Sequence, residues 1–256
     1  MTAPRRIVSL VPSLTETLFA LGAGDRLVGA TRYCVEPAAA LEFVPRVGGT
    51  KNPDRAKIAA LAPDLVLVND EENRAADIAW LRQRFGVFAS MPRSILDVAG
   101  VLRELGARLD AGDEVEAMLL EIEAQRARAE VASLQRRRIR VFYAIWKKPW
   151  MAINRDTYIH DVLHSAGATN VTADHPERYP RLGDAELAAL APDLVLLPDE
   201  PWKFVAADLE DIGQRELFGG AAAILVDGKD FCWHGSRTPH GLGRAIDTLA
   251  AYRALL

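Results

Sequence analysis

The chain has 256 residues, of which half are hydrophobic and 26% charged, with a formal net charge of −4. That composition belongs to an ordinary soluble globular protein, and the length suits one large domain or two small ones that bury their cores without metal or disulfide staples. The negative balance argues against nucleic acid or anionic membrane as a partner, since both attract basic surfaces.

In chain order, Met1 to Arg6 is basic and an apolar stretch runs from Ile7 to Leu21, the outline of a secretory signal. Pro12, Ser13, Thr15, Glu16 and Thr17 interrupt it, and no small-residue cleavage site follows, so the stretch reads as a first strand and helix. Because the chain starts at Met1 without a signal, the expected location is the cytoplasm, with the periplasm as the alternative if a signal was removed. No apolar run approaches the length of about 18 residues that a membrane span needs, so no membrane insertion is expected. Cys34 and Cys232 lie far apart and make no disulfide framework.

Strands are expected at Ile7–Leu10, Leu27–Ala30, Leu65–Val68 and Val87–Ala89, then at Ile139–Tyr143, Leu194–Leu197 and Ile224–Val226. Helical patterns lie between them, at Thr15–Leu21, Ala75–Arg84, Ile95–Leu105 and Tyr158–Ala166. Strands alternating with helices imply an α/β fold with mainly parallel sheets. A helical stretch free of Pro and Gly runs over 113–136, with Val115, Met118, Ile122 and Leu134 in its apolar stripe. The basic run Arg136, Arg137, Arg138 and Arg140 reads as its solvated end. The expected organisation is two α/β lobes, residues 1–112 and 137–256, bridged by that one long helix.

An internal repeat supports the two lobes. Residues 60–67 read ALAPDLVL, and residues 189–196 read ALAPDLVL again. The flanks agree too, with Asp70-Glu71 matching Asp199-Glu200. In each copy a short helix is stopped by proline, a strand buried on both faces follows, and polar residues sit at the strand's carboxyl end. Ligands of open parallel sheets bind outside those ends, so both copies are expected to turn their loops toward a shared cleft.

The strand-end loops carry the candidate site. Tyr33, Trp146, Trp150, Tyr179, Trp202 and Trp233 supply aromatic faces suited to a large planar or chelated ligand. Asp70, Glu71 and Glu72 form an acidic cluster in the first half, and Lys147, Lys148 and Arg237 a basic group in the second. Ser13 and Thr15 are expected to cap the first helix. Direct metal binding is a rival reading, through Cys34, His234 and Glu72, but His160 and His164 lack the H-E-x-x-H context of a metal helix. A hydrolase at Ser236, flanked by His234 and His240, is a weaker rival, because no nucleophile elbow, Walker loop or dinucleotide fingerprint is present. The chain is expected not to be an enzyme.

The segments RIVSLVPSLTETLFALGAGDRLVGAT, RYCVEP, VGGTKNPD and LAPDLVLV, followed by VFYAIWKKPWMAINRDTYIHDVLHSAGATNV and LAALAPDLVLLPDE, resemble the substrate-binding proteins of cobalamin and iron-siderophore ABC importers. These are periplasmic binding proteins with one helical backbone between two lobes. The resemblance implies a small ligand held between the lobes: a corrinoid (cobalamin) first, then an iron chelate or haem, then a bare metal ion. In cobalamin-binding relatives, aromatics at the positions of Tyr33 and Tyr179 touch ligand, and Trp150 and Trp233 fall close to further contacts. Aromatics expected near Gly48-Gly49 and Asn69 are missing. Importer-coupled relatives also dock an ABC permease through a glutamate at the start of each repeated helix. Ala56 and Ala185 stand there, with Asp54 and Glu186 nearby. The lost charges imply weakened docking to a permease, and together with the absence of a signal they imply a cytoplasmic member outside transport; a monomer is expected.

Overall fold

The computed structural model describes residues 3–133 and 137–255. Leu134 and Arg136, assigned above to the end of the long helix, lie outside them. The elements run β1 (Ile7–Ser9), α1 (Pro12–Ala20), β2 (Leu27–Ala30), α2 (Ala38–Leu41), α3 (Arg55–Ala60), β3 (Leu65–Asn69), α4 (Ala75–Arg82), β4 (Gly86–Ser90), α5 (Ile95–Leu109) and α6 (Gly112–Ser133). After α6 come β5 (Ile139–Tyr143), β6 (Trp150–Met151), α7 (Tyr158–Ser165), β7 (Ala168–Asn170), β8 (Arg181–Leu182), α8 (Asp184–Leu190), β9 (Leu194–Pro198), α9 (Ala206–Gln214), β10 (Ala222–Val226), α10 (Lys229–Cys232) and α11 (Thr238–Arg253).

The chain divides into two compact units. The first comprises Met1–Pro92, Leu96–Glu121 and His234–Arg237, and the second Arg93–Ile95, Ile122–Trp233 and Thr238–Leu256. The division falls inside α6, whose 22 residues carry the chain from one unit into the other. The short segment His234–Arg237 returns to the first unit.

Each unit is built on a four-stranded sheet, ordered β2-β1-β3-β4 in the first and β10-β9-β5-β7 in the second, and all pairings in both are parallel. The fold is α/β, as the alternating pattern implies. The central strands β3 and β9 are buried along their whole length, which is why they read as unbroken apolar runs rather than alternating ones. On one face of the first sheet Val8, Leu10, Val66 and Val68 pack with Ile58, Ile78 and Leu81. The second core gathers Phe142, Val195, Leu197, Leu187, Phe204 and Phe218.

The repeat is reproduced in backbone detail. α3 and α8 both end in an alanine forced into the left-handed region, Ala62 and Ala191, each at φ 43°, and Pro63 or Pro192 follows. The proline-ended helix expected from sequence therefore leaves through a strained alanine ahead of the proline. An arginine from the neighbouring strand's amino end covers the orphaned helix carbonyls in both copies. Arg6 donates to the Leu61 carbonyl at 2.7 and 3.0 Å. Arg140 donates to the carbonyls of Leu190 at 2.7 Å and Ala191 at 3.1 Å. The aspartate of each Pro-Asp pair then accepts from that strand's backbone: Asp64 from Arg5 and Arg6 at 2.8 and 3.0 Å, and Asp193 from Arg140 at 2.8 Å. Helix end, turn and strand start are thus latched by one Arg and one Asp per unit.

Two features are not marked by the sequence pattern. The antiparallel pair β6–β8 is only two residues long on each side. α11 contains Pro239, Gly241 and Gly243, which dilute any amphipathic signal. Gly241 is required there because a Cβ would collide with the Asp230 carbonyl of α10.

A left-handed alanine costs about 1 kcal/mol that glycine does not pay. Ala191→Gly is therefore expected to leave stability unchanged or raise it by up to about 1 kcal/mol, while Ala188→Gly, inside the same helix, lowers it by about 1 kcal/mol. Thermal melts of the two variants check this, and equal losses in both would contradict the reading of the turn.

Candidate functional site

In the first unit the loop after β2 presents Tyr33, whose residue surface is 50% exposed. Arg32 lies over its ring at 5.0 Å and donates to its hydroxyl at 3.3 Å. The loop after β3 is rigid because Asn69 Oδ1 accepts from the backbone of Glu71 at 2.8 Å and Glu72 at 3.0 Å. Asn73 Oδ1 accepts from the Asn69 backbone at 2.8 Å and locks the other side. Asp70 is exposed, Glu71 and Glu72 are half-buried, and the Lys51 ammonium donates to the Glu71 carbonyl at 2.6 Å.

Behind these loops the returning segment His234–Arg237 is fastened onto α1. His234 Nε2 lies 3.3 Å from Asn69 Nδ2 and 3.5 Å from Ser13 Oγ. The Ser236 backbone donates to Thr17 Oγ1 at 3.0 Å. Arg237 holds both carboxylate oxygens of Glu16. Arg237 therefore belongs to the first unit and is neutralised there. The expected basic group on the second half does not form with it, because the chain's return past Trp233 has no signature in sequence. Ser13 and Thr15 do not cap α1, which has no side-chain cap; Thr15 Oγ1 lies 2.9 Å from the Val11 carbonyl, which accepts from it, and 2.8 Å from Ser9 Oγ.

In the second unit, the loops after β5 and β9 bring Trp146 and Trp202 together edge to face, with centroids 4.8 Å apart. Trp146 is 38% exposed, so the pair offers an open aromatic face at the carboxyl end of the sheet. Tyr179, half-buried, lies under the Arg178 guanidinium at 5.7 Å, and Arg178 is paired to Asp156 at 2.9 Å.

Two expected aromatics are placed elsewhere. Trp150, on β6, turns into the core, where it stacks on Phe204 at 5.8 Å and meets Phe218 edge-on. It is only 5% exposed, as is Trp233. Both rings are packed within the protein, and neither presents a face to a ligand. Lys148 is exposed, but the neighbouring Lys147 is the buried one, bound to Asp208 at 2.7 Å and Asp211 at 2.9 Å. It is a structural ion pair, and its charge is not available.

Beside the tryptophan pair are residues that the sequence pattern did not single out. Asp199 and Glu200 follow β9, Asp227 follows β10, and Cys232 Sγ lies 3.4 Å from Glu200 Oε1. Burial raises the Glu200 carboxyl above the usual range. The one signal that could have found them is the repeat itself, which pairs Asp199-Glu200 with Asp70-Glu71.

Among the described residues no group of three or more His, Cys, Asp or Glu is placed to hold a metal ion. Cys34, His234 and Glu72 thus form no such centre. His160 and His164 stack at 5.8 Å, and no disulfide joins Cys34 to Cys232.

Comparison with known proteins places this geometry. Residues 7–224 match the family model described as periplasmic binding protein. The chain belongs to the periplasmic binding protein family. The Vitamin B12-binding protein of Vibrio cholerae is 30% identical over 257 residues, covering 96% of this chain and 88% of that protein. The crystal structure of the periplasmic Vitamin B12 binding protein BtuF of Vibrio cholerae has a TM-score of 0.83 at 22% identity, covering 98% of both chains. The heme-binding protein BhuT in complex with two hemes has a TM-score of 0.83 at 24% identity, covering 98% of this chain and 99% of that one. Membership makes this a binding protein of ABC transport rather than an enzyme, with a small ligand as its cargo. It also overturns the cytoplasmic expectation. The family is that of periplasmic binding proteins, and the apolar start, which forms β1 and α1 as expected, says nothing of location.

Ala56 and Ala185, near the starts of α3 and α8, are exposed. Their acidic neighbours serve as helix caps: Asp54 accepts from the backbone of Ala56 and Lys57 at 3.1 Å, and Glu186 from the Gly183 backbone at 2.8 Å.

Burial lowers the His234 pKa to about 4. The unfolded chain takes up this proton near 6.5, so the contribution is full above that pH and is lost as pH falls toward about 4. The loss amounts to about 3 kcal/mol. His234→Gln is expected to flatten this part of the stability profile, measured by thermal melts from pH 7 to 4.5. His160 and His164, also lowered chiefly by burial, keep a residual slope. Parallel profiles for wild type and variant would contradict the assignment.

Proposed function

We propose that the protein captures a corrinoid at its strand-end loops and presents it to an ABC permease. The observation that carries this reading is the open pair Trp146–Trp202 at the carboxyl ends of β5 and β9. A large flat macrocycle needs broad apolar contact with few fixed polar groups, and two indoles at an angle provide it. In the same unit Tyr179 supplies a further aromatic surface, and in the first unit Tyr33 is braced by Arg32. The identity to a Vitamin B12-binding protein over nearly the whole chain supports a corrinoid over other macrocycles. Haem or another iron chelate is the next ligand class.

On this reading the polar candidates have distinct roles. Asp70, Glu71 and Glu72 sit on the pinned loop after β3, and Lys148 stands exposed in the loop after β5. Arg237, Trp150 and Trp233 keep the loops in place from behind. Permease contact at α3 and α8 proceeds without a carboxylate at Ala56 or Ala185, which removes two charge pairs from docking and slows encounter.

Titration of the purified protein with cyanocobalamin and, separately, with haemin tests the reading through quenching of tryptophan fluorescence. Saturable quenching by cyanocobalamin is expected. Trp146→Ala and Trp202→Ala each weaken it about tenfold or more, the ordinary effect of removing an aromatic anchor, whereas Trp80→Phe, on α4, leaves the affinity unchanged. Saturable binding of haemin alone would replace the corrinoid, and binding of neither would overturn the reading.

A further inference from the structure

The acidic edge beside the tryptophan pair has a chemistry of its own. Asp199 and Glu200 leave β9, and Asp227 leaves β10, the neighbouring strand. Asp199 Oδ1 accepts from the Gly228 backbone at 2.8 Å. Gly228 has no Cβ, and any side chain there would run into the Glu200 Cγ, carbonyl and amide, so the loop is shaped to seat this glutamate. Among the described residues the cluster holds these three carboxylates together with Lys229, whose ammonium lies 4.0 Å from Asp227 Oδ2.

Tyr143, the last residue of β5, adds an independent observation. Its side chain is fully buried, and its hydroxyl has no hydrogen-bond partner in the structure. Burial first, and then the charges of Cys232, Glu200, Asp199 and Asp227, hold the phenol protonated. The phenol lies within electrostatic reach of these groups, and an unsatisfied buried hydroxyl costs about 1–3 kcal/mol. An incoming oxygen would relieve it.

A metal ion does not fit this edge. The carboxylates are strung along two strand ends instead of converging, and no three of these groups are placed around one point. A dicarboxylate ligand does not fit either, since it would set carboxylate against carboxylate in a half-buried place. A carboxamide has both halves of the complement: its N–H groups donate to Glu200 and Asp199, and its carbonyl accepts from a hydroxyl.

We infer that the β9–β10 edge, through Asp199, Glu200 and the Tyr143 hydroxyl, selects ligands whose rim carries primary carboxamides and rejects those whose rim carries carboxylates. The inference rests on the corrinoid reading and sharpens it: the macrocycle is recognised by its amidated edge as well as by its flat face. The duplicated Asp70-Glu71, at the end of β3, gives the first unit the same acceptor character in the same register of the repeat.

The probes are cyanocobalamin, with its rim amides intact, and the carboxylate forms obtained from it by partial acid hydrolysis. The amide form is expected to bind at least tenfold more tightly at pH 7. The double variant Asp199→Asn, Glu200→Gln is expected to bring that ratio to within about threefold, chiefly by improving carboxylate binding. Tyr143→Phe is expected to weaken the amide form several-fold without lowering the melting temperature, because the removed hydroxyl has no partner in the free protein. Equal affinity for both forms, or a ratio that the double variant leaves unchanged, would overturn this inference while leaving corrinoid binding intact. Binding of neither form would instead remove the reading on which it rests.

Discussion

The constraint that organises this protein is the latch that turns a helix into a buried strand, used once in each unit. The turn from helix to buried strand leaves helix carbonyls and strand amides outside any helix or sheet ladder, and protein partners that satisfy them fix the entry geometry. Arg6 with Asp64 and Arg140 with Asp193 supply those partners. Because the latch fixes the amino end of the sheet, the opposite end is free to carry loops of unrelated composition. Every candidate ligand contact lies at that opposite end.

The two units have used that freedom differently. In the first, the β3 loop is pinned by Asn69 and Asn73, and the aromatic contribution is a single tyrosine under an arginine. In the second, the position 129 residues on from Asn69 is Pro198, and the loop is shaped by Gly228 and the seated Glu200 instead. The aromatic weight lies there, in Trp146 and Trp202. The shared scaffold thus carries broad aromatic surface in the second unit and hydrogen-bond acceptors at the strand ends of each.

Much of this was legible in the sequence. Buried parallel strands announce themselves as unbroken apolar runs, so β3, β5 and β9 were found nearly to the residue. An eight-residue repeat with Pro-Asp at its centre located both latches. The site was legible only to the level of the loop. Trp146 and Trp150 stand four apart in one segment, and nothing in their spacing shows that β6 rotates the second into Phe204 and Phe218 while the first stays open. Lys147 and Lys148 are adjacent, yet the buried one is held by two aspartates more than sixty residues away in chain, a long-range pairing that no local pattern carries. Arg237 was assigned to the wrong unit for the same reason: its partner Glu16 lies at the other end of the chain. Location failed differently: the amino-terminal segment is β1 and α1, as its interrupted apolar pattern implies, and that pattern carries no information about location.

The account stands or falls on where the cargo sits. A crystal structure of the protein with cyanocobalamin would settle it: the corrin ring is expected against Trp146 and Trp202, with rim amides toward Asp199 and Glu200. A corrin ring bound away from the carboxyl ends of β5 and β9, with both indoles still open to solvent, would contradict it.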